Sequence, residues 1–154
     1  MVSLQPGDIA PGFSAIDHTG KAIALSDFLE KKVILYFYPR DNTSGCTAEA
    51  CSFRDNYQYL LAKGFCIIGI SADDERSHKN FSEKYVLPFP LIPDKERKII
   101  MDYGVWGKKK LYGKEYDGIR RMTFIIDEQG KIEYILDKVD TKDPAGQILN
   151  LINQ

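Results

Sequence analysis

The chain has 154 residues, 44% of them hydrophobic and 28% charged, which supplies apolar material for one packed domain and is too hydrophobic for a disordered chain. Twenty-one Lys and Arg against twenty-two Asp and Glu leave a net charge of -1, so no positive surplus exists to neutralise a run of phosphates, and nucleic acid is not the expected partner. No basic segment leads into an apolar run at the start, and no stretch approaches the roughly 18 apolar residues of a spanning helix, so the expectation is a single-domain cytoplasmic protein without a membrane segment.

Gly7 to Leu25 alternates short apolar runs with turn residues, which predicts an irregular start with a small hairpin, and Ser26 or Asp27 is placed to cap a short helix ending near Glu30. Val33 to Tyr38 is a continuous apolar and aromatic run closed by Pro39, the pattern of a strand buried on both faces. Phe53, Tyr57, Leu60 and Leu61 recur at helical spacing, which predicts one helix from about Cys46 to Lys63 with Gly64 as its left-handed cap. A second buried strand, Cys66 to Ser71, follows, with Cys66 read as a small core residue. Then come a helix over Ser77 to Tyr85, an extended piece over Phe89 to Pro93 and a helix over Asp94 to Tyr103. Lys108, Lys109 and Lys110 read as a solvated loop. Thr123 to Asp127 and Ile132 to Leu136 form the clearest hairpin, and Pro144 opens the last amphipathic helix. This order predicts a three-layer α/β domain with a mixed central sheet flanked by helices.

The chemistry concentrates where the first buried strand becomes a helix. Cys46 falls in the first helical turn, where unpaired N–H groups and the helix dipole favour an anion, and the thiolate is the form of cysteine that attacks electrophiles. Glu49, three residues on, opposes this charge. Such a position also suits an ordinary buried small residue, so the spacing alone leaves both readings open. With about 100° per residue, Cys46 lies about 20° from Phe53 on the inward face and Cys51 about 160° away on the outward one. Five residues along an intact helix separate Cα atoms by roughly 8 to 9 Å, beyond the ~6.8 Å limit of ordinary disulfides, so a Cys46–Cys51 bond requires the first turns to unwind. Three cysteines are an odd number for a disulfide scaffold, the Cys-x-x-Cys of dithiol reductases is absent, and Cys66, His18 and His78 do not complete a zinc-ligand spacing. Neither histidine is assigned chemistry.

Tyr36-Phe37-Tyr38-Pro39, then Thr43-Ser44-Gly45-Cys46-Thr47 with Cys51 beyond, resembles the Pro-x-x-x-Thr-x-x-Cys signature of the peroxiredoxins, and the Cys-x4-Cys pair resembles their bacterioferritin comigratory protein or Q-type branch. The similarity runs the length of the chain through Gly7-Asp8-Ile9-Ala10-Pro11, Asp41, Gly69-Ile70-Ser71, Gly104-Val105-Trp106-Gly107 and Tyr116 to Phe124. The resemblance implies a thioredoxin-like fold and thiol-dependent reduction of hydrogen peroxide and organic hydroperoxides without metal, flavin or other cofactor. Carried over, Cys46 is the peroxidatic cysteine that becomes a sulfenic acid, and Cys51 is the resolving cysteine of an intramolecular disulfide reduced by thioredoxin or a similar dithiol.

Within the same resemblance Thr43 orients the peroxide, Arg121 supplies fixed donors near the thiolate and the developing charge of the leaving oxygen, and Pro39 stiffens the shielding loop. Thr43 also reads as an N-cap hydroxyl and Pro39 as a plain strand terminator. Arg120, the neighbour of Arg121, is taken as a surface charge and Trp106 as core packing. Ser44 stands where many members carry a second proline. An intramolecular disulfide needs no second subunit, so a monomer is expected. The competing reading is a redox switch or holdase that uses the same cysteine pair; it needs two thiols but neither Thr43 nor Arg121.

Overall fold

The computed structural model describes residues 4–153. In chain order it runs through β1 (Ser14–Ile16), β2 (Ala22–Ala24), a 3-10 turn over Leu25–Phe28, β3 (Lys32–Phe37), α1 (Ser44–Asp55), α2 (Tyr57–Ala62), β4 (Phe65–Ser71) and α3 (Glu75–Tyr85). It continues with β5 (Leu91–Pro93), α4 (Lys98–Asp102), β6 (Trp106–Leu111), β7 (Lys114–Ile119), β8 (Met122–Ile126), β9 (Ile132–Leu136) and α5 (Pro144–Ile152).

A mixed sheet in the order β5, β4, β3, β8, β9 forms the centre, with β3, β4 and β5 parallel and β8 and β9 each antiparallel to its inner neighbour. The period-two alternation of β3 sends its residues to opposite faces. Ile34, Tyr36 and Tyr38 pack with Cys46, Ala50, Phe53, Leu60, Phe81 and Ile148 of the helices, while Val33, Leu35 and Phe37 pack with Ile100, Tyr103, Phe124 and Ile132 on the other side. Gly69 is required beside this core, because a Cβ there would lie 2.9 Å from the Tyr36 ring and 2.8 Å from Leu91.

Several expectations change in the folded chain. The predicted single helix breaks at Asn56 (φ -105°, ψ 10°), whose side-chain amide takes the Ser52 carbonyl at 2.9 Å in competition with the backbone ladder. Past this break Leu60 stays buried but Leu61 turns out to solvent. Gly64 takes the left-handed conformation expected of it (φ 88°). The first short helix is capped by Ala24 rather than Ser26 or Asp27; Asp27 instead reaches back to accept the Ala24 amide at 2.9 Å. The helix expected from Asp94 starts only at Lys98, because Arg97 is left-handed (φ 61°) and Asp94 accepts the Ile100 amide from outside the helix at 2.8 Å. Cys66 is half-buried rather than a core residue. The largest difference is the β6–β7 hairpin over the supposed lysine loop, turned by Tyr112 and Gly113, both at positive φ (53° and 77°), as a tight two-residue hairpin requires. Its strands carry little apolar alternation, which is the signal a sequence reading depends on.

Candidate active site

At the end of β3 the Tyr38 amide adds a last sheet bond to the Ile70 carbonyl at 3.1 Å, and the chain leaves the sheet through half-buried Pro39 toward α1. Thr43 is extended (φ -81°, ψ 153°) and its carbonyl accepts the first helical bond, from the Thr47 amide at 2.8 Å. The amides of residues 44–46 therefore precede the helical ladder, and Cys46 is the third residue of α1. Its side chain is buried, 1% exposed, on the inward face with Ala50 and Phe53, while Cys51 is half-buried on the same helix. All three cysteines are free thiols. Thr43 holds the N-cap position but its hydroxyl does not cap the helix; it donates to the Arg40 carbonyl at 2.8 Å, which leaves the oxygen's lone pairs to accept from another group.

Arg121, from the junction of β7 and β8, reaches across to α1. Its Nη2 donates to Cys46 Sγ at 3.3 Å and its Nη1 to Glu49 Oε1 at 2.7 Å, so one planar guanidinium bridges the two side chains. Burial works against the Arg121 charge, yet Cys46 and Glu49 beside it outweigh that and hold its pKa above the usual value. A Cβ on Gly45 would lie 3.2 Å from Arg121 Nη2, so glycine at this position leaves room for the guanidinium. Arg120 is exposed, as expected, and Trp106 is half-buried against the core with the Arg97 guanidinium 4.4 Å from its ring centre. Thr43, Cys46 and Arg121 thus meet at the start of α1, with Pro39 at the far end of the loop that leads there and Cys51 further along the same helix.

The sequence reading gave Glu49 only an opposing charge. In the fold it is fully buried, and its Oε2 has no hydrogen-bond partner among the described residues. Burial pushes its carboxyl up to about 7, against the pull of Arg121. Lys109 is not a solvated loop residue either: it is half-buried on β6, its Nζ donates to the Ile119 carbonyl at 2.9 Å, and burial, with Arg121 nearby, lowers its pKa. His78, left without a task in the sequence, is buried in contact with Asp41 of the loop that leads to Thr43. Asp41, Asp73 and His78 bring metal-ligand atoms within 4.8 Å of one another, but Asp41 and His78 are hydrogen-bonded to each other at 2.7 Å, which closes the group on itself. Helical phase does point Glu49 inward, about 40° from Phe53, and sets His78 one turn from buried Phe81; what it does not carry is their partners, which come from elements distant in the chain.

A sequence profile of the AhpC/TSA family matches residues 6–135. Peroxiredoxin Bcp of Escherichia coli is 42% identical over 154 residues, spanning 100% of this chain and 99% of that protein. Peroxiredoxin Bcp of Bacillus subtilis is 40% identical over 151 residues, 98% and 96% of the two chains. Among solved structures, a cysteine variant of PrxQ from Xylella fastidiosa matches with a TM-score of 0.91 at 26% identity, covering 99% of this chain and 98% of that one. A cysteine variant of peroxiredoxin Q from Xanthomonas campestris matches with a TM-score of 0.85 at 30% identity, over 92% and 90%. The central mixed sheet with flanking helices is the thioredoxin-like α/β arrangement of those structures.

Proposed function

The chain belongs to the AhpC/TSA family and, within it, to the Bcp/PrxQ peroxiredoxins, which are thiol peroxidases, and from that premise we propose that Cys46 reduces hydrogen peroxide and organic hydroperoxides and forms a disulfide with Cys51. The observation that carries this reading is the Arg121 guanidinium bonded to the Cys46 sulfur at the first turn of α1. In the first step the Cys46 sulfur donates an electron pair to one peroxide oxygen, the O–O bond breaks, and the other oxygen leaves as water or an alcohol, the proton released by the Cys46 thiol balancing the one it gains. The product is a Cys46 sulfenic acid. Arg121 offers donors to the developing charge, and the Thr43 hydroxyl, with its own proton on Arg40, accepts from the incoming peroxide. Pro39 stiffens the loop between strand and helix. In the second step the Cys51 sulfur attacks the sulfenic sulfur, the Cys46–Cys51 bond forms and water leaves. Thioredoxin or another dithiol then donates two electrons and two protons by exchange, returning both thiols and leaving oxidised as a disulfide. We read the chain as one domain that acts as a cytoplasmic monomer, since both cysteines of the cycle lie on one helix.

The test is to treat reduced protein with one equivalent of hydrogen peroxide, block free thiols and map all three cysteines by mass spectrometry. A two-dalton loss linking Cys46 to Cys51 within seconds, with Cys66 free, is expected. Cys46→Ser loses all turnover, and Cys51→Ser reacts once with peroxide and then stalls or over-oxidises. Turnover of both variants at the parent's rate with a thioredoxin system would exclude the assignment.

A further inference from the structure

We propose that His78, acting through Asp41, is a positioning residue for the peroxide reaction: an imidazole of α3 latches the loop that carries Thr43 and leads into Cys46. The proposal rests on Cys46 being the sulfur that meets the peroxide. The His78 and Asp41 side chains are 0% and 1% exposed. His78 Nδ1 lies 2.7 Å from Asp41 Oδ2 and Nε2 lies 3.1 Å from the Ile92 carbonyl. A carbonyl brings no proton, so Nε2–H donates there. At its other ring nitrogen, Nδ1, the imidazole shares a hydrogen bond with the Asp41 carboxyl, so both ring nitrogens are engaged inside the core.

The carboxylate is held by more than the histidine. Tyr38 Oη donates to Asp41 Oδ1 at 2.7 Å, and Ser77 Oγ donates to Oδ2 at 2.8 Å. The Asp41 amide donates to Asp73 Oδ2 at 2.9 Å, an oxygen that also takes the Ser71 hydroxyl at 2.7 Å. Residue 41 is thus fixed through backbone and side chain by groups from the ends of β3 and β4, the loop after β4, and α3. The next residue, Asn42, is left-handed (φ 63°), a conformation asparagine adopts more readily than most side-chain-bearing residues. Thr43 follows at once. The path from His78 to the active-site hydroxyl therefore runs through one fixed residue and one turn residue.

Asp41 is also the only one of these groups within the active-site loop itself. A buried polar pair adds little net stability compared with apolar packing of the same volume, whereas removing one partner leaves the other without its hydrogen bond. What this pair does supply is one defined conformation for a loop that is otherwise exposed at residues 42–44.

The experiment compares the parent, His78→Gln, Asp41→Asn and the double variant as reduced full-length protein. Two rates are measured for Cys46: oxidation by hydrogen peroxide in a single turnover, and alkylation by iodoacetamide. Alkylation needs only an accessible reactive sulfur, whereas peroxide reduction also needs the loop groups in line. The expected result is a peroxide rate lower by about tenfold or more in each single variant, with alkylation within about twofold of the parent. The double variant is expected to lose no more than either single one, because the two residues act as a unit. A folded variant with the parent's peroxide rate, equal losses in both reactions, or losses that multiply in the double variant would each overturn the latch. If neither single variant folds, Tyr38→Phe removes one donor to Asp41 and leaves the His78–Asp41 bond in place; a several-fold selective loss is expected, and parent rates would overturn the proposal. A parent whose Cys46 ignores peroxide would instead overturn the function proposed above, whatever the variants do.

Discussion

Glu49 enters the core with one oxygen on Arg121 and the other on no partner among the described residues. Its ordinary value of 4.5 is raised by burial to about 7, so between these two values the unfolded chain has released a proton that the folded chain still holds. The folded state binds more protons there, and the associated stability, complete below about 4.5, is lost as pH rises through about 7. Glu49→Gln removes this titration and keeps an oxygen for Arg121. In urea unfolding of the reduced protein, the stability of Glu49→Gln relative to the parent is expected to rise from pH 5 to pH 8 by up to about 3 kcal/mol. A difference that stays flat across that range would mean that Glu49 titrates like an exposed carboxylate. Cys46, Thr43 and Arg121 were legible in the chain as a motif, with Arg121 expected beside the sulfur; its second bond, to Glu49, was not, because Arg121 is separated from Glu49 by most of the sheet's sequence.

At the scale of elements, α1 carries a tension between its folded geometry and its proposed chemistry. Cys46 and Cys51 lie on one continuous helix, whose regular rise sets their Cα atoms roughly 8 to 9 Å apart. Forming the disulfide withdraws Cys46 from the core and opens the first turns, while Phe53, buried on the same helix, can anchor the remainder. Hydrogen exchange is expected to report fast amides at residues 47–51 in the oxidised parent and continued protection in Cys46→Ser under the same oxidant. Loss of protection in Cys46→Ser would separate unwinding from the disulfide. Helical phase read from the sequence turned Cys46 inward, where it is buried, and Cys51 outward, where it is half-buried, since phase is a property of the local repeat. The break at Asn56 escaped it: the apolar spacing continues across the interruption, which shows in the Asn56 backbone angles and its side-chain bond to Ser52.

Across the whole molecule, the sheet divides the core into one face that carries the site and another that does not. Phe53 and Phe124, each buried, stand on opposite faces. Phe53→Ala and Phe124→Ala are each expected to cost about 3–5 kcal/mol in chemical unfolding, the range for emptying a buried aromatic position. Only Phe53→Ala is expected also to slow the reaction of Cys46 with peroxide, because it loosens the helix that holds the sulfur; equal slowing in both folded variants would show that the faces do not act separately. The hairpin of β6 and β7 belongs to this scale as well. It brings Lys109 back toward Arg121, a placement that comes from a tight turn and not from an apolar pattern.

By itself the sequence determined the strand-to-helix junction around Cys46, the buried identity of β3 and β4, the β8–β9 hairpin and the family, because these rest on local periodicity, turn chemistry and a motif of fixed spacing. Tertiary structure alone decided that Glu49 bonds to Arg121, that Lys109 is folded against the Ile119 carbonyl, and that His78 meets Asp41 inside the core. The physical reason is the same in each case: a side chain's solvation and partners are set by elements far apart in the chain, and periodicity carries no information about which polar group will stand opposite it.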